Sequence, residues 1–376
     1  MKSVINKFAA ATKDPYARLA QWKEQTGGKI IGCFPMYVPE EIIHAAGMLP
    51  IILLGSDEPI IVADKYIFGG GTCHLVRNNL DDALQGRLDF LDGVVFPDIC
   101  DNISGTANIW RWARPSGFYH HLPVPVKMDF HATPDYLSYV FNGLRHSLEE
   151  FSGSKISEQA LGQSISIYNH NRSLLRHLYQ LRRANPSLLR AREVATVVEA
   201  DMLMPKEEHS ELLTQLLAQL EAKKLEEDSR VRLVLAGNFC EDAEKDVLDL
   251  VEEGGGAVAD DDFYAGSRYF ITEVDETIDP ITALVRGYIK TPCPSKHNPA
   301  IYWDQYLLKK VKEAEAKGIV IWMVRYCTTL GTPSPYVMER LREAGVPCLL
   351  LETDHTGASG AIRTRLQAFI EMLKGK

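Results

Sequence analysis

No Cys-x-x-Cys pair occurs in the 376 residues, so the chain carries neither a zinc ribbon nor a ferredoxin-type ligand run. Positive charge is scarce too: 41 Lys and Arg against 50 Asp and Glu leave a net charge of −9 and a pI near 5.7. Such a balance offers no basic field for gripping phosphate backbones and argues against nucleic acid as the main partner. An anionic ligand would need a local basic pocket. The longest apolar runs, such as 48–54, are far too short to span a bilayer. Residues 1–12 lack the basic-then-apolar pattern of a secretory signal, so the expectation is a cytoplasmic protein without membrane contact. Neither Gly-Lys-Ser nor Gly-Lys-Thr follows the run Gly69-Gly70-Gly71, which removes a phosphate loop, and no Gly-x-Ser-x-Gly elbow supports a hydrolase. The run Gly254-Gly255-Gly256 reads as a helix stop before a strand.

What is present is an ordinary globular composition, 45% apolar, long enough for two or three packed domains. Seven cysteines in a reducing compartment argue against a disulfide framework, and an odd number cannot all pair within the chain. Thiolate chemistry or burial must account for them.

The first clear pattern is a helix over 14–25, with Pro15 in its first turn after an Asp cap. Residues 29–34 read as a strand, 38–46 as a helix opened by Pro39-Glu40-Glu41 and closed by Gly47, and 49–54 as a second strand. Strand, helix, strand at this spacing marks a parallel βαβ unit. A helical pattern from Cys73 to Leu84 precedes a short apolar strand over 93–96, with Cys100 just beyond it. A helix over 104–112 and a proline-interrupted strand around 124–128 follow. From about 136 to 224 the pattern changes to long helices rich in Leu, Arg, Glu and Gln, broken at Asn185-Pro186, and the charged stretch 221–230 reads as a solvated helix end and linker. At Val231 the alternation resumes. A strand over 231–236, a helix after Asn238, an apolar stretch around Ala257, a helix over 301–317 and a strand over 319–324 lead to a last βα turn through 335–344 and 347–351, with a final helix ending near Leu373. The expected fold is α/β: two Rossmann-like lobes with parallel sheets, 1–135 and 229–376, joined by a helical middle section over 136–228.

In open parallel sheets ligands bind outside the carboxyl ends of the strands, and that rule sorts the cysteines. Cys100 follows the strand over 93–96, Cys327 follows the strand over 319–324, and Cys73 stands at a helix entry after a glycine turn. A helix entry offers unpaired N–H groups and the positive end of the dipole, which favour a thiolate and an anionic metal cluster. Burial as a small hydrophobe is the competing account of a lone cysteine, but three at strand and helix ends shift the balance. Cys33 and Cys240 pass the same position test less strongly. Cys348 begins a strand and reads as a core residue, while Cys293 sits in the loop Pro292-Cys293-Pro294. A mixed-ligand zinc site with His74, His120 and His121 stays open on composition, although these histidines lack paired helical spacing near the cysteines.

The run 32–50, from Gly32-Cys33-Phe34-Pro35 to Gly47-Met48-Leu49-Pro50, resembles the opening of 2-hydroxyacyl-CoA dehydratase and benzoyl-CoA reductase subunits. So do the stretch 73–84, the motif Phe96-Pro97-Asp98-Ile99-Cys100-Asp101-Asn102 and the tail 360–369. Within that family, Gln21-Trp22-Lys23, the stretch 86–93 and Asp260-Asp261-Asp262 look most like the smaller cluster-bearing subunit of an ATP-dependent benzoyl-CoA reductase. The resemblance implies one [4Fe-4S] cluster per chain on Cys73, Cys100 and Cys327, with Cys33 in reserve. It also implies a related larger cluster-bearing subunit and a separate ATP-hydrolysing iron–sulfur activator, which would account for the missing phosphate loop. The implied substrate is an acyl-CoA, either benzoyl-CoA or a 2-hydroxyacyl-CoA. One departure bears on the substrate: Thr328 follows the third cysteine, where many family members carry an acidic residue.

Three cysteine ligands on a four-iron cluster leave one iron open. The implied chemistry passes single low-potential electrons to a thioester-activated acyl group, giving a ketyl-like radical anion. A reductase then reduces the ring, whereas a dehydratase expels a hydroxyl. Both need proton donors, and the catalytic candidates His44, Glu41 and Tyr37 all follow the first strand end. Glu41 also reads as a first-turn helix carboxylate and His44 as a packed helix residue. Arg77, Arg111, Arg363 and Arg365 lie near the motif segments and are available to the CoA phosphates, with exposed salt bridges as their ordinary role. A further class of function is a non-catalytic partner that carries a cluster for a sister subunit.

Overall fold

The structure is a computed structural model, and it describes every residue except 57, 68–69, 116, 225–226, 239–244, 295, 297–300, 354–359 and 376. Helices α1 (Lys2–Lys13) and α2 (Pro15–Thr26) come first. The Asp14 carboxylate accepts the N–H of Ala17 to start α2, and Gly27 ends it in the left-handed region at φ 67°. Then follow β1 (Lys29–Cys33), α3 (Glu40–Ala45), β2 (Met48–Ile52), α4 (His74–Leu84), β3 (Gly93–Pro97), α5 (Asp101–Ala113) and β4 (Phe118–Leu122). These strands form one parallel sheet in the order β2-β1-β3-β4. Four helices occupy the middle: α6 (Thr133–Ser152), α7 (Glu158–Ala184), α8 (Ala191–Leu203) and α9 (Lys206–Glu221).

The last part comprises β5 (Val231–Gly237), α10 (Lys245–Glu253), β6 (Gly256–Asp262), α11 (Pro280–Ile289), α12 (Ile301–Glu313), β7 (Gly318–Val324), α13 (Thr328–Gly331), α14 (Ser334–Glu343), β8 (Cys348–Thr353) and α15 (Gly360–Lys374). Its sheet is also parallel, in the order β6-β5-β7-β8, so the two sheets share one topology. The α/β fold with two parallel sheets agrees with the sequence expectation.

Both faces of the second sheet are covered. Leu233, Leu235, Val320 and Trp322 point into the main core, while Val234, Ala236, Ile319 and Ile321 join a second core with Trp303, Leu307 and Val337. Alternate residues of one strand therefore serve opposite cores, and this makes β7 a continuous apolar run.

The sequence reading misplaced one strand. Residues 124–128 leave the sheet, and the chain there turns toward the second half, where the Met128 N–H donates to the Lys296 carbonyl (2.9 Å). The strand is β4, at the sheet edge, where half-buried Tyr119 and His120 and exposed His121 are tolerated. Pro123 and Pro125 lack the N–H a ladder requires, which prevents its continuation. Helices α1 and α11 were also unread, and α1 packs on α8 and α9 of the middle section. Among the described residues no helix is long and apolar enough to cross a membrane.

Candidate functional site

Strand order reverses between β1 and β3 in the first sheet and between β5 and β7 in the second. Such switch points open a crevice where the loops leave in opposite directions. The loops leaving these four strands begin with Phe34, Asp98, Asn238 and Arg325. Two of the sequence-selected cysteines lie on them, Cys100 at the start of α5 and Cys327 at the start of α13.

Cys100 and Cys327 come from different sheets yet are electrostatic neighbours. Burial raises the Cys100 thiol above its ordinary pKa, the Cys327 charge adds to this, and N–H groups of Ile103 and Asn102 with the Thr329 hydroxyl oppose it. Burial likewise raises Cys327, opposed by the side chain of Asn238, the N–H groups of Leu330 and Thr329, and the guanidinium of Arg268. Asn238 Nδ2 lies 2.9 Å from Cys327 Sγ. The halves also meet here through Asn102 Nδ2, which donates to the Tyr326 carbonyl at 3.4 Å. Each sulfur is therefore half-enclosed among N–H donors, the environment suited to a sulfur that carries negative charge.

Cys73 caps α4, half-buried and packed against the main core, and α4 lies against α5. Cys33, the reserve ligand, is sealed at the end of β1 with its Sγ 3.7 Å from the Ile31 carbonyl, and burial raises its pKa well above the ordinary value. Cys348 sits at the amino end of β8 against the second core, as read. Cys293 is buried, and Cys240 lies outside the described residues. Among the described residues no three His, Cys, Asp or Glu side chains are close enough to hold a metal ion, so the structure pairs Cys100 with Cys327 without bringing three ligands together. The donor chemistry nevertheless fits a sulfur-ligated anionic group: the sequence-selected cysteines all stand at helix entries, and N–H groups reach two of their sulfurs.

Beside Cys100, the buried ammonium of Lys296 faces Cys293, Asp98 and Cys100, and burial lowers its pKa while these three oppose the shift. His121 Nε2 lies 2.7 Å from Asp98 Oδ1, which also accepts from the Ser104 hydroxyl. His120 stacks on Phe118, and burial, helped by the His121 charge, pushes it down to about 4. A histidine whose folded pKa lies below its unfolded value of 6.5 favours the fold above pH 6.5, and that contribution disappears as pH falls toward 4. A urea-midpoint profile over this interval should accordingly be flatter for His120→Phe than for the unaltered chain.

The three sequence-selected proton donors sit in a buried polar network between α3, α7, α8 and α11. Tyr37, in the left-handed region at φ 67°, donates its hydroxyl to the Thr291 carbonyl at 2.8 Å. Glu41 is fully buried; Arg172 donates to its Oε1 at 2.6 Å and Tyr288 to its Oε2 at 3.0 Å. Ser164 spends its proton on the Glu41 carbonyl at 2.8 Å, so His44 Nδ1, 3.0 Å away, must donate to Ser164 Oγ. The other nitrogen, His44 Nε2, faces Glu207 at 3.4 Å near the surface.

Neighbouring Glu40, whose pKa burial raises, accepts from Tyr269 at 2.9 Å. Lys206 donates to Asp201 Oδ1 at 3.0 Å and to the Tyr269 oxygen at 2.7 Å. Tyr37, Glu40, Lys206 and Arg268 line a small cavity of about 40 Å³. On the scale where one water needs about 15 Å³, it admits two or three waters and no acyl chain.

Two of the arginines considered for CoA are engaged in surface ion pairs, Arg77 with Asp64 and Arg363 with Glu253. Arg365 donates to the Leu350 carbonyl, and Arg111 is exposed on α5. The residues that sequence reasoning passed over are Asn238, Arg268 and Lys296. Asn238 carried the same signal as the cysteines, a polar residue directly after a strand end. Arg268 is held by Asp262 at 2.7 Å, a pairing made within a turn that no periodicity announces.

The sequence has counterparts among known proteins. The family described as 2-hydroxyglutaryl-CoA dehydratase, D-component, matches residues 35–373. The chain is 30% identical to one of the subunits of the benzoyl-CoA reductase of Thauera aromatica, over 94% of this chain and 93% of that one. It is 28% identical to the (R)-phenyllactyl-CoA dehydratase beta subunit of Clostridium sporogenes over 98% of both chains, and 28% identical to the (R)-2-hydroxyglutaryl-CoA dehydratase beta subunit of Acidaminococcus fermentans over 99% of this chain and all of that one. With a match that runs from the first strand's end almost to the last residue, the chain belongs to the 2-hydroxyglutaryl-CoA dehydratase D-component family.

Proposed function

We propose that this chain is the cluster-carrying subunit of an enzyme that reduces the aromatic ring of benzoyl-CoA. It works beside a related larger subunit and receives electrons from a separate ATP-hydrolysing iron–sulfur protein. The observation that carries this reading is the approach of Cys100 and Cys327 across the two sheets, each sulfur met by N–H donors. The named relatives are subunits of acyl-CoA reductases and dehydratases, which supports an enzyme subunit here.

Cys73, Cys100 and Cys327 would hold a [4Fe-4S] cluster, which when bound supplies single low-potential electrons to a thioester-activated acyl group. The chain contributes the surroundings. Helix-entry N–H groups steady the sulfurs, and the buried ammonium of Lys296 offsets negative charge at Cys100. The candidate proton donors are Tyr37, Glu41 and His44: burial holds the proton on the Tyr37 oxygen, and each is already engaged, Tyr37 by the Thr291 carbonyl, Glu41 by Arg172 and His44 by Ser164.

A 2-hydroxyacyl-CoA dehydratase subunit is the second reading, favoured by the phenyllactyl-CoA relative, whose match covers 98% of both chains. The test is anaerobic copurification with the neighbouring subunits, followed by assays with benzoyl-CoA and with phenyllactyl-CoA. ATP-dependent loss of benzoyl-CoA supports the first reading. Loss of water from phenyllactyl-CoA supports the second, and a complex inactive on both overturns the pair. If soaked acyl-CoA is found only at the sister subunit, this chain is a non-catalytic cluster carrier.

A further inference from the structure

We infer that Asn238 is a positioning residue for Cys327, its side-chain amide holding the sulfur and raising the reduction potential of the cluster ligated there. This inference rests on the reading that Cys327 is a cluster ligand.

The placement begins with the backbone. Gly237 has φ 144°, and a Cβ there would lie 1.7 Å from the Trp322 carbonyl oxygen, so only glycine lets the end of β5 approach β7 this closely. Asn238 follows at once. Its N–H donates to the Trp322 carbonyl at 3.1 Å, and its carbonyl accepts from Tyr264 at 3.2 Å.

The side chain is fixed at both ends. Asn238 Oδ1 accepts the N–H of Val324 at 3.0 Å, and Nδ2 points at Cys327 Sγ, 2.9 Å away. Exchanging the amide's oxygen and nitrogen would set two donors against each other at Val324, so the orientation is determined by the backbone. The Cys327 N–H in turn donates to the Val324 carbonyl at 3.1 Å. One carbamoyl group thereby spans the turn from the end of β7 to the sulfur.

An N–H aimed at a ligating sulfur stabilises negative charge on it. Each electron added to a cluster makes the assembly more negative, so the donor favours the reduced form and raises the potential. The bland alternative is that Asn238 only braces the turn through Val324.

The experiment uses the anaerobically purified complex, with asparagine carrying 15N only at its side-chain amide incorporated. Pulsed EPR of the reduced cluster should detect coupling to an asparagine nitrogen, and this signal should vanish in Asn238→Ala. The same variant should retain its iron and show a midpoint shifted to lower potential. Asn238→Asp, which keeps the oxygen that accepts from Val324 but puts a carboxylate oxygen in place of the N–H donor, is the fallback if Asn238→Ala fails to fold, and a shift to lower potential is again expected. Absence of nitrogen coupling in the unaltered protein, or an iron-retaining variant with an unchanged midpoint, overturns the inference alone. A Cys327→Ala complex that keeps its iron overturns the ligand reading beneath it.

Discussion

Cys327→Ala is expected to strip the iron from anaerobically purified protein, from about four irons per chain for one cubane cluster to fewer than one. Cys100→Ala should do the same. The two sulfurs stand at helix entries of different sheets, next to the residues Asn102 and Tyr326 through which the halves meet, and removing either leaves the other with no counterpart across the crevice. Cys348→Ala is the internal control. That thiol sits at the amino end of β8, away from the strand ends where the crevice opens, so its loss should leave the iron in place. Iron and acid-labile sulfide analysis, with the loss of brown colour as a direct check, reads the result. A Cys327→Ala protein that keeps its iron would remove the central claim.

The second large effect concerns stability. Arg172 and Glu41 form a buried pair at 2.6 Å joining α7 to α3, and Tyr288 of α11 completes it. Arg172→Leu abandons a buried carboxylate, and the expected cost is about 3–5 kcal/mol, read as a lowered urea midpoint. The double variant Glu41→Leu with Arg172→Leu should recover much of this, because no buried charge is then left alone. If Arg172→Leu were as stable as the unaltered chain, the ion pair would have no structural role, and Glu41 would be free for proton transfer.

The strands were legible because most of them are buried on both faces and read as unbroken apolar runs between turn residues. β4 was not, since an edge strand carrying Tyr119, His120 and His121 lacks that signature, while Val124, Val126 and Met128 imitate one. The site was legible to the extent that position governs it. Cys100 and Cys327 follow strand ends, and the rule for parallel sheets finds them without knowledge of their neighbours. The rest depends on partners far apart in the chain. Glu41 and Arg172 are 131 positions apart and Tyr179 and Asp261 are 82, so no local pattern could report their pairing. Helices α7 to α9 therefore read along the sequence only as long helices rich in Leu and charge, with nothing to mark that their Arg172, Arg182, Lys206 and His209 are all buried.

The approach of Cys100 to Cys327 also orders events during synthesis. The two residues are 327 − 100 = 227 positions apart in a chain of 376. In the folded chain the turn bearing Cys327 is tied to Asn238 at the end of β5, so its placement beside Cys100 depends on the pairing of β5 with β7. A group gripped by both sulfurs must therefore be inserted after translation has passed Cys327 and the second sheet has formed. A ribosome-bound fragment ending before β7 has Cys73 and Cys100 to offer but not Cys327, so the full set of sulfurs is completed late.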